Sequence, residues 1–144
     1  MKVMVIVKAT KNSEAGIMPD TELLTAMGKY NQSLAEAGVL VGGEGLLPSS
    51  RGKRVTIDSG GRSVADGPFA NASDLVAGFW IWKVASLEEA VDWAKRCPAP
   101  MPGEQSVLEI RPIISMEDLG DAMTPVLREQ ESRLRSDLEK GAAS

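Results

Sequence analysis

Because the chain contains no histidine, any proton chemistry must come from its carboxylates, its lysines, one tyrosine or one cysteine. The commonest general base at neutral pH and the commonest metal ligand are both missing. Ser-His-Asp and Cys-His nucleophile systems are excluded, and a single cysteine leaves no zinc set. Two carboxylates stand where chemistry is possible. Asp66 opens Asp66-Gly67-Pro68-Phe69, in which proline fixes its own φ and phenylalanine buries the returning chain. An acid held there at the lip of a sheet serves either as general base and ligand anchor or merely as a turn builder. Glu44 sits inside Gly42-Gly43-Glu44-Gly45, where glycines mark a bulge or a close approach by a ligand or another backbone. Lys8 and Arg111 are cations suited to holding a carboxylate or enolate oxygen, arginine through its bidentate fork. Their other reading is an internal ion pair with Glu44, Asp66 or Glu109. Trp80 and Trp82 supply either an aromatic pocket wall or the core of an interface, and Phe69 reads as packing. Tyr30 reads as a helix-face core residue, and Cys97, lacking a His partner, as a poor nucleophile.

The elements that carry these residues follow from periodicity and punctuation. Lys2 to Lys8 is a β-branched and apolar run, read as a buried strand, and Asn12 to Met18 as a polar loop. Pro19-Asp20 opens a helix whose Leu23, Met27, Tyr30 and Leu34 share a face, closed by Gly38. Val39-Leu40-Val41 begins a strand that runs into the glycines. Lys53 to Asp58 and Arg62 to Ala65 flank Ser59-Gly60-Gly61 as a hairpin. Val76 to Val84 puts Phe79 and Ile81 on one face and Trp80, Trp82 and Val84 on the other. Ser86 and Glu89 form a capping box for a helix that Pro98 ends. Val107 to Ile113 is the last strand, Ser115 with Asp118 caps a short helix, and Thr124-Pro125 starts a final one. Two β-α-β units around a central hairpin predict a ferredoxin-like α+β sheet over residues 1–115, with both main helices on one face. Residues 116–144 are expected as a helical extension packing on the same domain. A central strand apolar on both faces needs a second cover, and a homodimer joined through its sheets supplies it.

Composition narrows the classes further. At 144 residues one α+β domain is the natural expectation. A net charge of −4 and a pI of about 4.9 lack the basic footprint of a nucleic-acid binder. Arg51, Lys53, Arg54 and Arg62 cluster, but as the solvated face of a hairpin. One cysteine permits no intrachain disulfide and fits a reduced cytoplasmic setting. No apolar run has membrane-spanning length, and the first residues lack a signal-peptide pattern. Neither a P-loop nor a dinucleotide fingerprint is present, so no cofactor and no metal is expected.

The stretches VMVIVKAT, AGVLVGGEGLLPSSRG, ADGPFA, LVAGFWIWKV, EEAVDWAKRCP and LEIRP, in that order, resemble the YCII-related family in its branch with the Asp-Gly-Pro-Phe signature. The resemblance implies a dimeric α+β barrel with a cleft in each half. Relatives commonly continue the signature as Phe-Ala-Glu-Thr-Lys-Glu, where this chain has Phe69-Ala70-Asn71-Ala72-Ser73-Asp74. Asn71 thus replaces an acid and Ser73 a lysine, which leaves Ser73 as a neutral substrate-side position. The His-Asp pair of some relatives is impossible here. The resulting expectation is a small-molecule enzyme without cofactor, doing elimination, isomerisation or cyclisation. Asp66 or Glu44 would move the proton, and Lys8, Arg111, Trp80, Trp82, Phe69 and Ser73 would contact the substrate. The alternative is a non-catalytic ligand-binding or regulatory dimer.

Overall fold

In the computed structural model, which describes residues 1–143, alternation sets the first strand. In β1 (Lys2–Lys8), Val3 and Val5 are fully buried while Lys2 is exposed. A single helical turn, α1 (Lys11–Glu14), follows where the sequence reads as loop. Its cause is a reciprocal cap: the Ser13 N–H donates to Thr10 Oγ1 (3.1 Å) and the Thr10 N–H to Ser13 Oγ (2.8 Å). Serine in place of the usual Glu or Gln at that position hides the signal. Helix α2 (Thr21–Glu36) starts on Asp20, whose carboxylate accepts from the Leu23 N–H at 2.8 Å. It buries Tyr30 and Leu34. Strand β2 (Leu40–Gly45) carries a register shift between Leu40 and Gly42, at the expected glycines.

The hairpin β3 (Lys53–Asp58) and β4 (Gly61–Asp66) forms a two-stranded sheet of its own, exposed along its whole length. Strand β5 (Val76–Lys83), helix α3 (Leu87–Ala94) and β6 (Leu108–Pro112) complete the first unit. Ser86 Oγ caps α3 by accepting from the Glu89 N–H at 3.2 Å, and Glu89 answers on the Ala85 N–H at 2.7 Å.

The main sheet is antiparallel with order β2-β5-β1-β6. That order, with one helix in each β-α-β half, makes the unit α+β with a split βαβ connectivity. Register pairs Val3 with Trp82 and Val5 with Trp80. These four side chains share one face and meet Tyr30 and Leu34 of α2 and Ala90 of α3. Full burial of Trp82, Leu34, Val3 and Val5 contributes roughly 1.5–3 kcal/mol each before chain entropy is counted. The opposite face pairs Met4 with Ile81 and Ile6 with Phe79, all four only half-buried.

The contacts divide the chain into two compact units, Met1–Pro112 and the segment from Ile113 onward. The second contains a 3₁₀ turn at Glu117–Ala122 and α4 (Pro125–Ala143), where the Leu127 N–H donates to Thr124 Oγ1 at 3.3 Å. Ser115 and Asp118 cap the 3₁₀ turn reciprocally, and these bonds hold the exposed Asp118 carboxyl below its ordinary pKa. Among the described residues, no helix is long and apolar enough to cross a membrane.

Candidate functional site

A cavity of about 530 Å³ opens between the first half of α2 and the end of the sheet where β1, β2 and β5 meet. Leu23, Met27 and Asn31 form its helical wall, and Val7, Gly43 and Trp80 its floor. Trp80 is held on three sides. Its indole Nε1–H donates to Asn31 Oδ1 at 2.9 Å, and its ring stands edge-on to Tyr30, centroids 5.9 Å apart at 78°. Beneath it lies Gly43, where an added Cβ would come within 2.8 Å of both Trp80 Cδ1 and the Phe79 carbonyl oxygen. Glycine is required there so that the indole can lie on β2. Tyr30 is itself tied down, its hydroxyl donating to the Trp93 carbonyl at 2.7 Å, and burial raises its pKa.

Two polar groups of the wall retain bonding capacity. Asn31 spends its carbonyl oxygen on Trp80, which leaves its amide hydrogens for an occupant. Ser106 Oγ is sealed from solvent and has no hydrogen-bond partner. Such an unpaired hydroxyl costs stability unless something else engages it.

A second, polar depression of about 380 Å³ adjoins the first; the two share Lys8 and Thr10. Lys11, Ser73, Glu104 and Gln105 also line it. One carboxylate oxygen of Glu104 accepts from the Asn12 N–H at 3.1 Å. The ion pairs of the described residues engage Lys53, Arg111, Arg133 and Arg135, and neither Lys8 nor Lys11 takes part in one.

Of the residues singled out from sequence, Lys8, Glu44 and Trp80 therefore line the first cavity, and Lys8 and Ser73 the second. Glu44 is exposed and pairs with Phe79 in the register, so strand alternation assigns its side chain to the face opposite Trp80. Asp66, Phe69, Trp82 and Arg111 line neither cavity. Asp66 makes an ion pair with Lys53 at 2.5 Å across the hairpin, with side chains 75% and 68% exposed. Arg111 sits 3.6 Å from Glu109, opposite Met4 on the face away from the helices. Trp82 is wholly in the core, its Nε1 unpaired, and Phe69 lies under the Arg54 guanidinium at 3.9 Å.

The Asp-Gly-Pro-Phe turn acts here as a brace. Gly67 packs so closely on Ser49 that any Cβ would overlap the Ser49 carbonyl, and the Gly67–Pro68 peptide is cis. The Phe69 N–H donates to Ser49 Oγ at 3.0 Å. Ser49 in turn donates from its hydroxyl to the Glu14 carboxylate, and from its N–H to Glu14 Oε2 at 2.9 Å. Pro48, next to this knot, is part of the cavity rim. The turn thus reaches the cavity through Ser49 and Glu14 rather than through the Asp66 carboxylate.

Sequence reasoning missed Asn31 and Ser106. Asn31 had a usable signal: it lies four residues after Met27, a polar residue at a position on the buried helical stripe. Ser106 had none, because its burial comes from the loop before β6. Cys97 is half-buried, and burial pushes its thiol up to about 11, which leaves it un-ionised at neutral pH. Among the described residues, no three Cys, Asp or Glu side chains are grouped as metal ligands would be.

The profile of the YCII-related domain matches residues 1–117. An uncharacterized protein of Rhizobium meliloti (strain 1021) is 30% identical over 94 residues, covering 65% of this chain and 75% of that protein.

Proposed function

The chain belongs to the YCII-related domain family, and on that premise we propose that it is a small-molecule-binding protein whose ligand occupies the cavity beneath α2. The observation that carries this reading is the cavity itself. Its volume of about 530 Å³ falls within the usual range of roughly 300–1,000 Å³ for ligand sites. Its wall is mostly apolar, and among its few polar groups the Asn31 amide hydrogens are free to orient a guest. Residues 66–69 support placement in the Asp-Gly-Pro-Phe branch, where the turn braces the rim.

Cofactor-free proton transfer is the second reading: Lys8 and Glu44 both border the cavity, and Glu44, whose side chain starts from the other face, would have to reach it round the edge strand β2. Glu44 would carry the proton in an elimination, isomerisation or cyclisation, and Lys8 would stabilise the developing oxyanion. A homodimer accompanies both readings. Met4, Ile6, Phe79 and Ile81 form a half-buried apolar sheet face, and the hairpin leaves Val55, Ile57 and Val64 uncovered. Contiguous apolar surface of that kind is characteristic of an interface.

The test is a thermal-shift screen of small metabolites on the wild type and on Leu23→Trp, which fills the cavity from the helical side. A hit should raise Tm with concentration as linkage requires, and the filled variant should lose the shift. A ligand recovered unchanged supports binding alone; a product that disappears with Glu44→Gln supports catalysis. Shifts that persist undiminished in Leu23→Trp would place the ligand elsewhere and defeat the proposal.

A further inference from the structure

The two cavities differ in chemistry, and they meet at Lys8 and Thr10. The larger is apolar, with Leu23, Met27 and Trp80 as its main surfaces. The smaller presents Lys8, Lys11, Thr10 and Ser73, against one carboxylate, Glu104, that already accepts a backbone N–H. Lys8 belongs to both walls, is half-buried, and forms no ion pair among the described residues. A partly desolvated cation without a protein counter-charge calls for a partner of opposite sign. The charges on the smaller wall, two lysines and one glutamate, leave it with an excess positive charge. Glu44, the remaining acid of the larger cavity, is exposed and belongs by alternation to the other face of the sheet.

We infer that the ligand is an amphipathic carboxylate: its apolar body lies under α2 against Trp80, and its acid group lies at the junction, held by Lys8 and Lys11. This rests on the binding role proposed above and adds the chemical class. The division of labour follows from the walls. The apolar body gains affinity from burial, whereas the carboxylate gains charge-assisted hydrogen bonds that a neutral head group would not. Ser73 is neutral, which leaves Lys8 and Lys11 as the cations of this wall.

The experiment is isothermal titration of the full chain with octanoate, 1-octanol and acetate at low salt. Octanoate should bind at least about tenfold more tightly than 1-octanol, a ratio that one charge-assisted hydrogen bond can supply, and acetate should bind negligibly. Lys8→Gln with Lys11→Met should bring octanoate down to the 1-octanol level while 1-octanol binding stays unchanged. Lys11 is exposed, so Lys11→Met alone should lose part of the preference without touching the fold. Equal affinity for octanoate and 1-octanol in the wild type, or an octanoate affinity indifferent to both lysines, overturns the carboxylate while leaving the apolar cavity intact. If neither eight-carbon compound binds, the cavity reading fails with it.

Discussion

Three glycines of one strand should respond to the same methyl group in two different ways. At Gly43 an alanine Cβ would sit 2.8 Å from the Phe79 carbonyl oxygen and 2.8 Å from Trp80 Cδ1. The carbonyl is backbone in the centre of the sheet and cannot retreat, so the indole must move. Overpacking of that kind costs roughly 1–3 kcal/mol. Movement of the indole also stretches the 2.9 Å bond to Asn31, and an unpaired buried N–H adds about 1–3 kcal/mol. Gly43→Ala should therefore lose about 2–6 kcal/mol, the sum of those two ranges. At Gly42 and Gly45 the same Cβ meets nothing within 4 Å. There alanine should be neutral or stabilising by about 0.4–1 kcal/mol, through the unfolded chain. Urea unfolding followed by tryptophan fluorescence and far-UV circular dichroism measures all three, and comparable m-values license the comparison. If Gly43→Ala falls within about 0.5 kcal/mol of the two controls, the close approach of Trp80 to β2 is wrong, and the cavity floor with it.

Ser106→Ala removes a sealed, unpaired hydroxyl and should raise Tm by about 2–4 °C in the ligand-free protein; a fall in Tm would mean that the hydroxyl has a partner. Gly67→Ala forces a Cβ into the Ser49 carbonyl and should cost at least about 2 kcal/mol in urea unfolding. Burial raises the Cys97 thiol from 9.0 to about 11 and raises Tyr30 as well, so above pH 9 the folded chain holds more protons than the unfolded one. Stability should then be fully present below pH 9 and decline as pH rises through 11; a urea midpoint that stays flat or rises over that interval would contradict it. For the same reason, alkylation of native Cys97 at pH 8 should run about 100-fold slower than that of a free cysteine.

Most of the architecture was legible because it rests on local signals. The Val3-Val5 alternation, the Asp20 and Ser86 caps, and the Gly60-Gly61 turn each act within a few residues. The turn α1 was missed because its cap answers Thr10 with Ser13 where a Glu or Gln would have marked it. The site was harder to read because it depends on contacts distant in sequence. Asp66 and Glu44 look equivalent as carboxylates beside glycines, yet the hairpin carries Asp66 to an exposed pair with Lys53, while β2 keeps Glu44 at the cavity. Trp80 and Trp82 are two residues apart on the same buried face, yet only Trp80 lines the cavity. Nothing local to Ser106 announces that its hydroxyl is sealed. The meaning of Lys8 depends on the loops that create two cavities around it.

Native mass spectrometry of the protein, before and after addition of octanoate, addresses the central claim most directly. The account predicts one small molecule per chain, either an acid carried through purification and released on denaturation or octanoate itself. It also predicts loss of that adduct in Leu23→Trp. A wild-type chain that arrives empty and stays empty at saturating octanoate would contradict it.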